Sequence, residues 1–334
     1  MNIVKFPTLY ASAFQEAICR ISATADEVVE VDLYDHSQTT IIGKRRFSGT
    51  TSYDVNLANC AQSQLDILPL TTVQCAFVEP VGRTVNVTVG IGGVKKNTIL
   101  TGGCRTCYSY EKLSRSPKLI DISTNQNDEI AVIVDGGTLR AEAVFDDPAE
   151  MTVELATKSD AQGLYVFTLK MSDLMTKLHN AGKDKLNLGE QMAVRIVDGE
   201  GYVLAEQRYR VVPDLMDDVR VCWWNSLGQI DYCTMRRVLD AQYDLTKERI
   251  LTPDGYKTTS CKRERKMRIV SDFVYSEMIE WLSEIASAPR VWIVENGNFI
   301  RVDVIDESVK LSGADPVQMD LTIRYNEPDI LQHE

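Results

Sequence analysis

Short segments that alternate apolar and polar residues recur along most of this chain, each ended by a turn rich in glycine, and they restrict it to a sheet-rich fold. "DEVVEVDLYD" (26–35) and "TVNVTVGI" (84–91) have the period of two that places successive side chains on opposite faces of a strand. "DEIAVIVDGGTLRAEAVF" (128–145) reads as strand, Asp-Gly-Gly turn, strand. "MAVRIVDGEGYVLAEQRYRVV" (192–212) is a second hairpin, turned by Asp198-Gly199-Glu200-Gly201. At 334 residues the chain exceeds one ordinary core, so two or three domains are expected.

The fold class expected is mostly β with a few helices, in three domains. Residues 1–116 form a strand-rich N-terminal domain. In it, "YDVNLANCAQSQL" (53–65) reads as a strand running into a short helix, and "GIGG" and "TGG" mark turns before "CRTCYSYEKL". Residues 117–213, between two prolines, form an Ig-like β-sandwich, with "GLYVFTLKM" (163–171) as a further strand. "SDLMTKLHNAG" (172–182) adds an amphipathic helix stopped by glycine. Residues 214–334 form an α+β assembly domain, an antiparallel sheet with one packed helix. Ser271 or Asp272 would cap that helix and Pro289 would end it, with Val274, Met278, Trp281 and Ile285 along one apolar stripe. Asn296-Gly297 between "VWIV" (291–294) and "FIRVDVID" (299–306) is a strong hairpin signal, and "DPVQMDLTIRYNE" (315–327) alternates as a final strand.

Charge and motifs exclude several function classes. The balance of 36 basic to 48 acidic residues, a net charge of −12, opposes direct nucleic-acid binding. The dense basic run Lys262-Arg263-Glu264-Arg265-Lys266 reads as a solvated surface strand or loop. No stretch reaches the roughly 18 apolar residues of a membrane span, and the first residues carry no secretory h-region. Eight scattered cysteines then read as reduced thiols of a chain made in a cytosol. His36, His179 and His333 have no nucleophile or acid partner in any motif. Cys104-Arg105-Thr106-Cys107 lacks both a redox setting and a second zinc pair. "GIGGVK" (90–95) fails the dinucleotide fingerprint, and "DISTNQNDEI" (121–130) lacks the glycine and terminal glutamate of a calcium loop. No active site can be assembled, so no enzyme, cofactor or metal is expected.

"CWWNSLGQIDYCT" (222–234) is the densest aromatic feature. Asn225-Ser226-Leu227-Gly228 is a turn, and Trp223 and Trp224 point to opposite faces of the incoming strand. One would enter the core and one would be free to face a neighbour; the alternative puts both in a single core. The pattern Trp223-x-Asn225-x-x-Gly228-x-x-Asp231-x-x-Thr234 precedes a helix with Trp281 and Leu282. "SAPRVWIVENGNFIRVDVIDES" (287–308) and an alternating strand follow. Taken in order over 214–330, these resemble tail or baseplate structural proteins of phages and prophages of Bacteroidetes-type bacteria. Residues 43–67 resemble the strand-rich N-terminal part of the same proteins. The chain departs from them in having a second aromatic before the asparagine and a methionine, Met235, where an aromatic is usual.

The resemblance implies a virion protein, synthesised in a bacterial host's cytoplasm and built into a tail, baseplate or neck ring. Its partners would be copies of itself and other virion proteins. Interface candidates are Trp223, Trp224, Asn225, Gly228, Trp292, Asn296 and Phe299. A competing expectation is a carbohydrate- or host-surface-binding β-module, whose aromatics would be Tyr108, Tyr110, Trp292 and Phe299.

Overall fold

The alternating segments form strands that are sorted into five sheets, as given by a computed structural model describing residues 2–24, 26–34, 40–71, 73–105, 107–108, 111–145, 151–305 and 318–326. His36, Tyr110, His333 and residues 315–317 lie outside the described residues. The fold is mostly β, with few helices and several sheets.

The N-terminal unit holds β1 (Asn2–Lys5), β2 (Tyr10–Ser12), β3 (Ile18–Ser22), β4 (Val29–Tyr34), β5 (Ile41–Phe47), β6 (Ser52–Asn56), α1 (Ala58–Ala61), β7 (Ala76–Val78), β8 (Thr84–Ile91) and β9 (Val94–Thr101). A sheet β1-β3-β6 and a sheet β2-β9-β8-β4-β5 enclose one core. Alternation decides the buried face: Val29, Val31 and Leu33 of β4 and Val85, Val87, Val89 and Ile91 of β8 all belong to it.

The middle unit comprises β10 (Leu119–Ile122), β11 (Asn127–Val134), β12 (Leu139–Phe145), β13 (Met151–Lys158), β14 (Gly163–Lys170), α2 (Met171–Asn180), β15 (Gln191–Val197) and β16 (Val203–Val211). A five-stranded sheet β10-β16-β15-β12-β13 packs on a three-stranded sheet β11-β14-β7. Two features depart from the sequence reading. β11 and β12 do not pair: they belong to opposite sheets, joined across the sandwich by Gly136 and Gly137, both at positive φ. The boundary at 116/117 is crossed by β7, which pairs with β14 through Val78↔Val166 and Phe77↔Phe167. β11 is buried on both faces, as its unbroken apolar run requires. Ile130, Val132 and Val134 face the five-stranded sheet, while Ala131 and Ile133 pack with Tyr10, Leu113 and Leu227 of the other units.

The C-terminal unit contains β17 (Asp218–Trp224), β18 (Ile230–Thr252), β19 (Gly255–Val270), α3 (Ser276–Ser287), β20 (Val291–Glu295), β21 (Asn298–Val304) and β22 (Asp320–Tyr325). Its antiparallel sheet closes into a barrel, β17-β18-β19-β22-β21-β20, a closure that the sequence reading of a sheet with one packed helix did not specify. The pairings β17 with β20 and β19 with β22 make the closure. Val221, Trp223, Met267, Ile269, Ile293 and Leu321 form one core with Trp281, Leu282 and Ile285 of α3. The rings of Trp223 and Trp281 are 5.0 Å apart. α3 begins one turn later than Ser271 or Asp272 would allow as caps, with Tyr275 at its N-terminal boundary. The Ser271 hydroxyl is engaged elsewhere: it accepts the Met319 N–H at 2.9 Å and donates to the Asp272 carbonyl. Asn296 and Gly297 both have positive φ, as the tight β20–β21 turn demands.

Candidate assembly surfaces

The β17–β18 hairpin locks the barrel to the N-terminal unit. Trp223 is fully buried inside the barrel core. Trp224, on the opposite face of the strand, is 7% exposed. It packs edge-on against Phe14 at 5.7 Å, and its indole Nε1 donates to the Gly102 carbonyl at 3.0 Å. Asn225 is spent within the turn: its Oδ1 accepts the Leu227 and Gln229 N–H groups, each at 2.9 Å. Its Nδ2 donates to the Leu113 carbonyl and to Asp231 Oδ1. At Gly228, φ is +82°, and an added Cβ would sit 2.3 Å from the Gly103 nitrogen, so the tip requires glycine for both conformation and space.

These contacts correct the expectation that one tryptophan is free for a neighbour. Both are buried within the chain, as are Asn225 and Trp292, and Gly228 lies against the backbone of Gly102 and Gly103. Of the seven interface candidates, Asn296 is exposed and Phe299 half-buried, packed beside Trp224 and Trp292. Tyr108 is exposed, but Trp292 is not, so these two cannot line one open aromatic groove. Cys107 is buried beside Thr101 and the Leu227 carbonyl while Cys104 is exposed. Among the described residues no cluster of three or more His, Cys, Asp or Glu side chains could hold a metal, and no helix is long and apolar enough to cross a membrane.

Sequence reasoning missed a buried ionic junction where the three units meet. Arg83, 1% exposed, pairs with Glu129 at 2.5 Å and also donates to the Leu68 carbonyl and Gln229 Oε1. Glu129 further accepts the Leu70 N–H at 2.8 Å and the Tyr232 hydroxyl at 2.6 Å. Beside it, Arg220 lies 3.5 Å from Asp128. Burial pushes the carboxyls of Asp128 and Asp231 up to about 6; nearby Arg220 opposes the shift at Asp128, and hydrogen bonds from Trp281 and Asn225 oppose it at Asp231. Burial lowers Lys112 in the same cluster. Raised carboxyls are frequent at reaction centres, but the space among Lys112, Asp128, Gln207, Tyr209 and Asp231 is only about 10 Å³. That holds about one water and no substrate. The cluster brings together side chains of all three units.

Among the open surfaces of the described residues, two stand out. Beyond the barrel, β18 and β19 continue as a two-stranded arm that pairs only with itself between Gln242 and Arg265 among the described residues. None of residues 242–266 is buried, and Tyr243, Leu245, Ile250, Leu251 and Tyr256 are exposed on it. Arg263 stacks over Tyr243 at 3.9 Å, and Arg265 over Tyr325 at 4.0 Å, so the basic run lies on a solvated strand. The sequence signal was available: Asp254-Gly255 sits between two stretches of strand-like residues. The second surface is a groove of about 520 Å³ between the sandwich edge (Leu119, Arg210) and the barrel with its helix (Arg236, Phe273, Met278).

No protein-family model matches the chain, and no curated protein matches it significantly in sequence.

Proposed function

We propose that this protein is a structural component of a phage virion, a tail, baseplate or neck ring part that works by assembling with copies of itself and with other virion proteins. It acts by binding surfaces, without making or breaking bonds, and takes its place in the particle after synthesis in the bacterial cytoplasm. The observation that carries this reading is the β18–β19 arm. A two-stranded ribbon is marginally stable alone in water, and its strand edges and apolar side chains are costly to leave uncovered. A partner that covers it removes that cost, and aromatic and arginine side chains such as Tyr243 and Arg263 are the types that interfaces favour. The sequence resemblance over 214–330 supports the virion setting. The test is the mass and shape of the purified full-length chain by mass photometry and negative-stain imaging. Closed rings or tubes support the proposal; dispersed monomers at every concentration refute it.

A further inference from the structure

We infer that the arm of one copy docks into the groove between sandwich and barrel of a second copy, so that assembly runs head to tail. This rests on the assembly reading above and adds the receiving surface.

Charge makes the first argument. Residues 242–266 carry seven basic and four acidic residues, a net of +3, so the rest of the chain carries −15. The groove has the opposite sign. Asp121 pairs with Arg210 at 2.7 Å and Asp272 with Arg236 at 3.1 Å, which leaves Asp218 as the surplus negative charge of the lining, and Asp217 stands exposed on the same bordering loop. A basic arm and an acidic groove attract when the surfaces approach and repel their own kind, which sets orientation as well as partner.

Apolar surface makes the second. Leu215, Phe273 and Tyr275 line the groove and are exposed, and Met216, next to Leu215 in the chain, is 99% exposed. The arm offers Leu245, Ile250, Leu251 and Tyr256. Each surface therefore sets apolar side chains among charged ones, with the balance of charge basic on the arm and acidic in the groove, the pattern of an interface core within a polar rim.

Geometry decides which copy is served. The groove is lined by Arg236 and Ser271, at the arm's own root. From Gln242 to Thr252 the strand rises about 3.3 Å per residue, which carries the tip roughly 30 Å away from that root. An arm cannot reach the groove it springs from. Because arm and groove are different surfaces, the contact is heterologous and builds rings when the rotation closes and tubes when it does not.

The test uses charge reversal in the full-length chain at exposed positions. Lys247→Glu, Arg249→Glu and Lys257→Glu reverse the arm; Asp217→Lys and Asp272→Lys reverse the groove. Each set alone is expected to weaken self-association at least ~10-fold by mass photometry, and the two sets combined in one chain are expected to restore it. Circular dichroism checks that each variant keeps its sheet content. As a second measurement on the unaltered chain, raising sodium chloride from about 0.05 to about 0.5 M is expected to weaken assembly by a similar factor. If reversing the groove leaves assembly unchanged while reversing the arm dissolves it, the receiving surface is wrong and the assembly reading stands. Failure of the combined chain to recover, or a flat salt response, also overturns the inference. An unaltered chain that stays monomeric overturns both.

Discussion

Replacing Arg83 by methionine tests whether the buried junction holds the three units as one body. Arg83 comes from the N-terminal unit, Glu129 from β11 of the sandwich, and Tyr232 and Gln229 from the barrel's hairpin. Losing the guanidinium removes its bonds to Glu129 (2.5 Å), Leu68 (2.7 Å) and Gln229 (3.2 Å) and leaves the Glu129 carboxylate buried without its countercharge. Removing one partner of a buried pair costs about 3–5 kcal/mol, because a charge is stranded in low dielectric. Glu129 still accepts the Tyr232 hydroxyl and the Leu70 N–H, so the lower end, about 3 kcal/mol, is expected. The assay is urea unfolding of the full-length chain, followed in parallel by tryptophan fluorescence and far-ultraviolet circular dichroism. Glu129→Gln alone should cost a similar amount, since it strands Arg83. The double variant should cost less than the sum by at least about 2 kcal/mol, the signature of direct coupling. A single substitution costing under about 1 kcal/mol, or a double equal to the sum of its parts, would refute the view that this pair fastens the units.

The corrected placement of the tryptophans has its own consequence. Trp224→Ala, which loses the contacts with Phe14 and Gly102, should cost about 3–5 kcal/mol in the same urea assay and leave the mass of the folded protein in solution the same as the parent's; a lower mass without lost stability would return Trp224 to an interface. The raised carboxyls fix a dependence on pH. Because Asp128 and Asp231 hold protons up to about 6 when folded, against the usual 3.8, their contribution is fully present below 3.8 and is lost as pH rises through about 6. Glu190 and Glu206 are lowered and work the other way, but only below their usual 4.5. Stability should therefore be greater near pH 5.5 than near pH 7.5, and Asp128→Asn should shrink that difference; a parent chain more stable at the higher pH contradicts the assignment.

What could be read from the sequence was local. Alternation located Val29, Val31 and Leu33 on one face, Asn296-Gly297 marked its hairpin, and the stripe through Trp281 and Ile285 marked its helix, because each signal lies within a dozen residues. Barrel closure was invisible, since it depends on β17 meeting β20 and β19 meeting β22 across about fifty residues or more, and an inward-facing strand alternates alike in an open sheet or a closed one. The separation of β11 from β12 was hidden for the same reason: a glycine turn looks alike whether the chain returns in its own sheet or crosses to the next. Trp224 was misjudged because alternation says which side of a strand a residue takes but not whether another unit waits there, and Gly102 stands over a hundred residues away. Arg83 and Glu129 gave no signal, since a charge in a sequence is by default a solvated one.

The junction and the arm are connected by a single requirement. The groove exists only because two units share its walls: Leu119 and Arg210 belong to the sandwich, Arg236, Phe273 and Met278 to the barrel and its helix. If those units rocked against each other, the groove would widen and narrow, and the proposed docking would have to freeze that motion as well as the arm. Such ordering costs are charged against every association, and a rigid receiving surface avoids them. Buried ion pairs are a poor source of net stability compared with apolar packing, yet the chain places Arg83–Glu129 and Arg220–Asp128 at its inter-unit seams. Ion pairs discriminate between registers in a way that greasy surfaces do not, because a shift that greases tolerate strands a charge. A seam charged in this way fixes where the groove lies relative to the root of the arm, and, if copies join head to tail as proposed, the angle between one copy and the next.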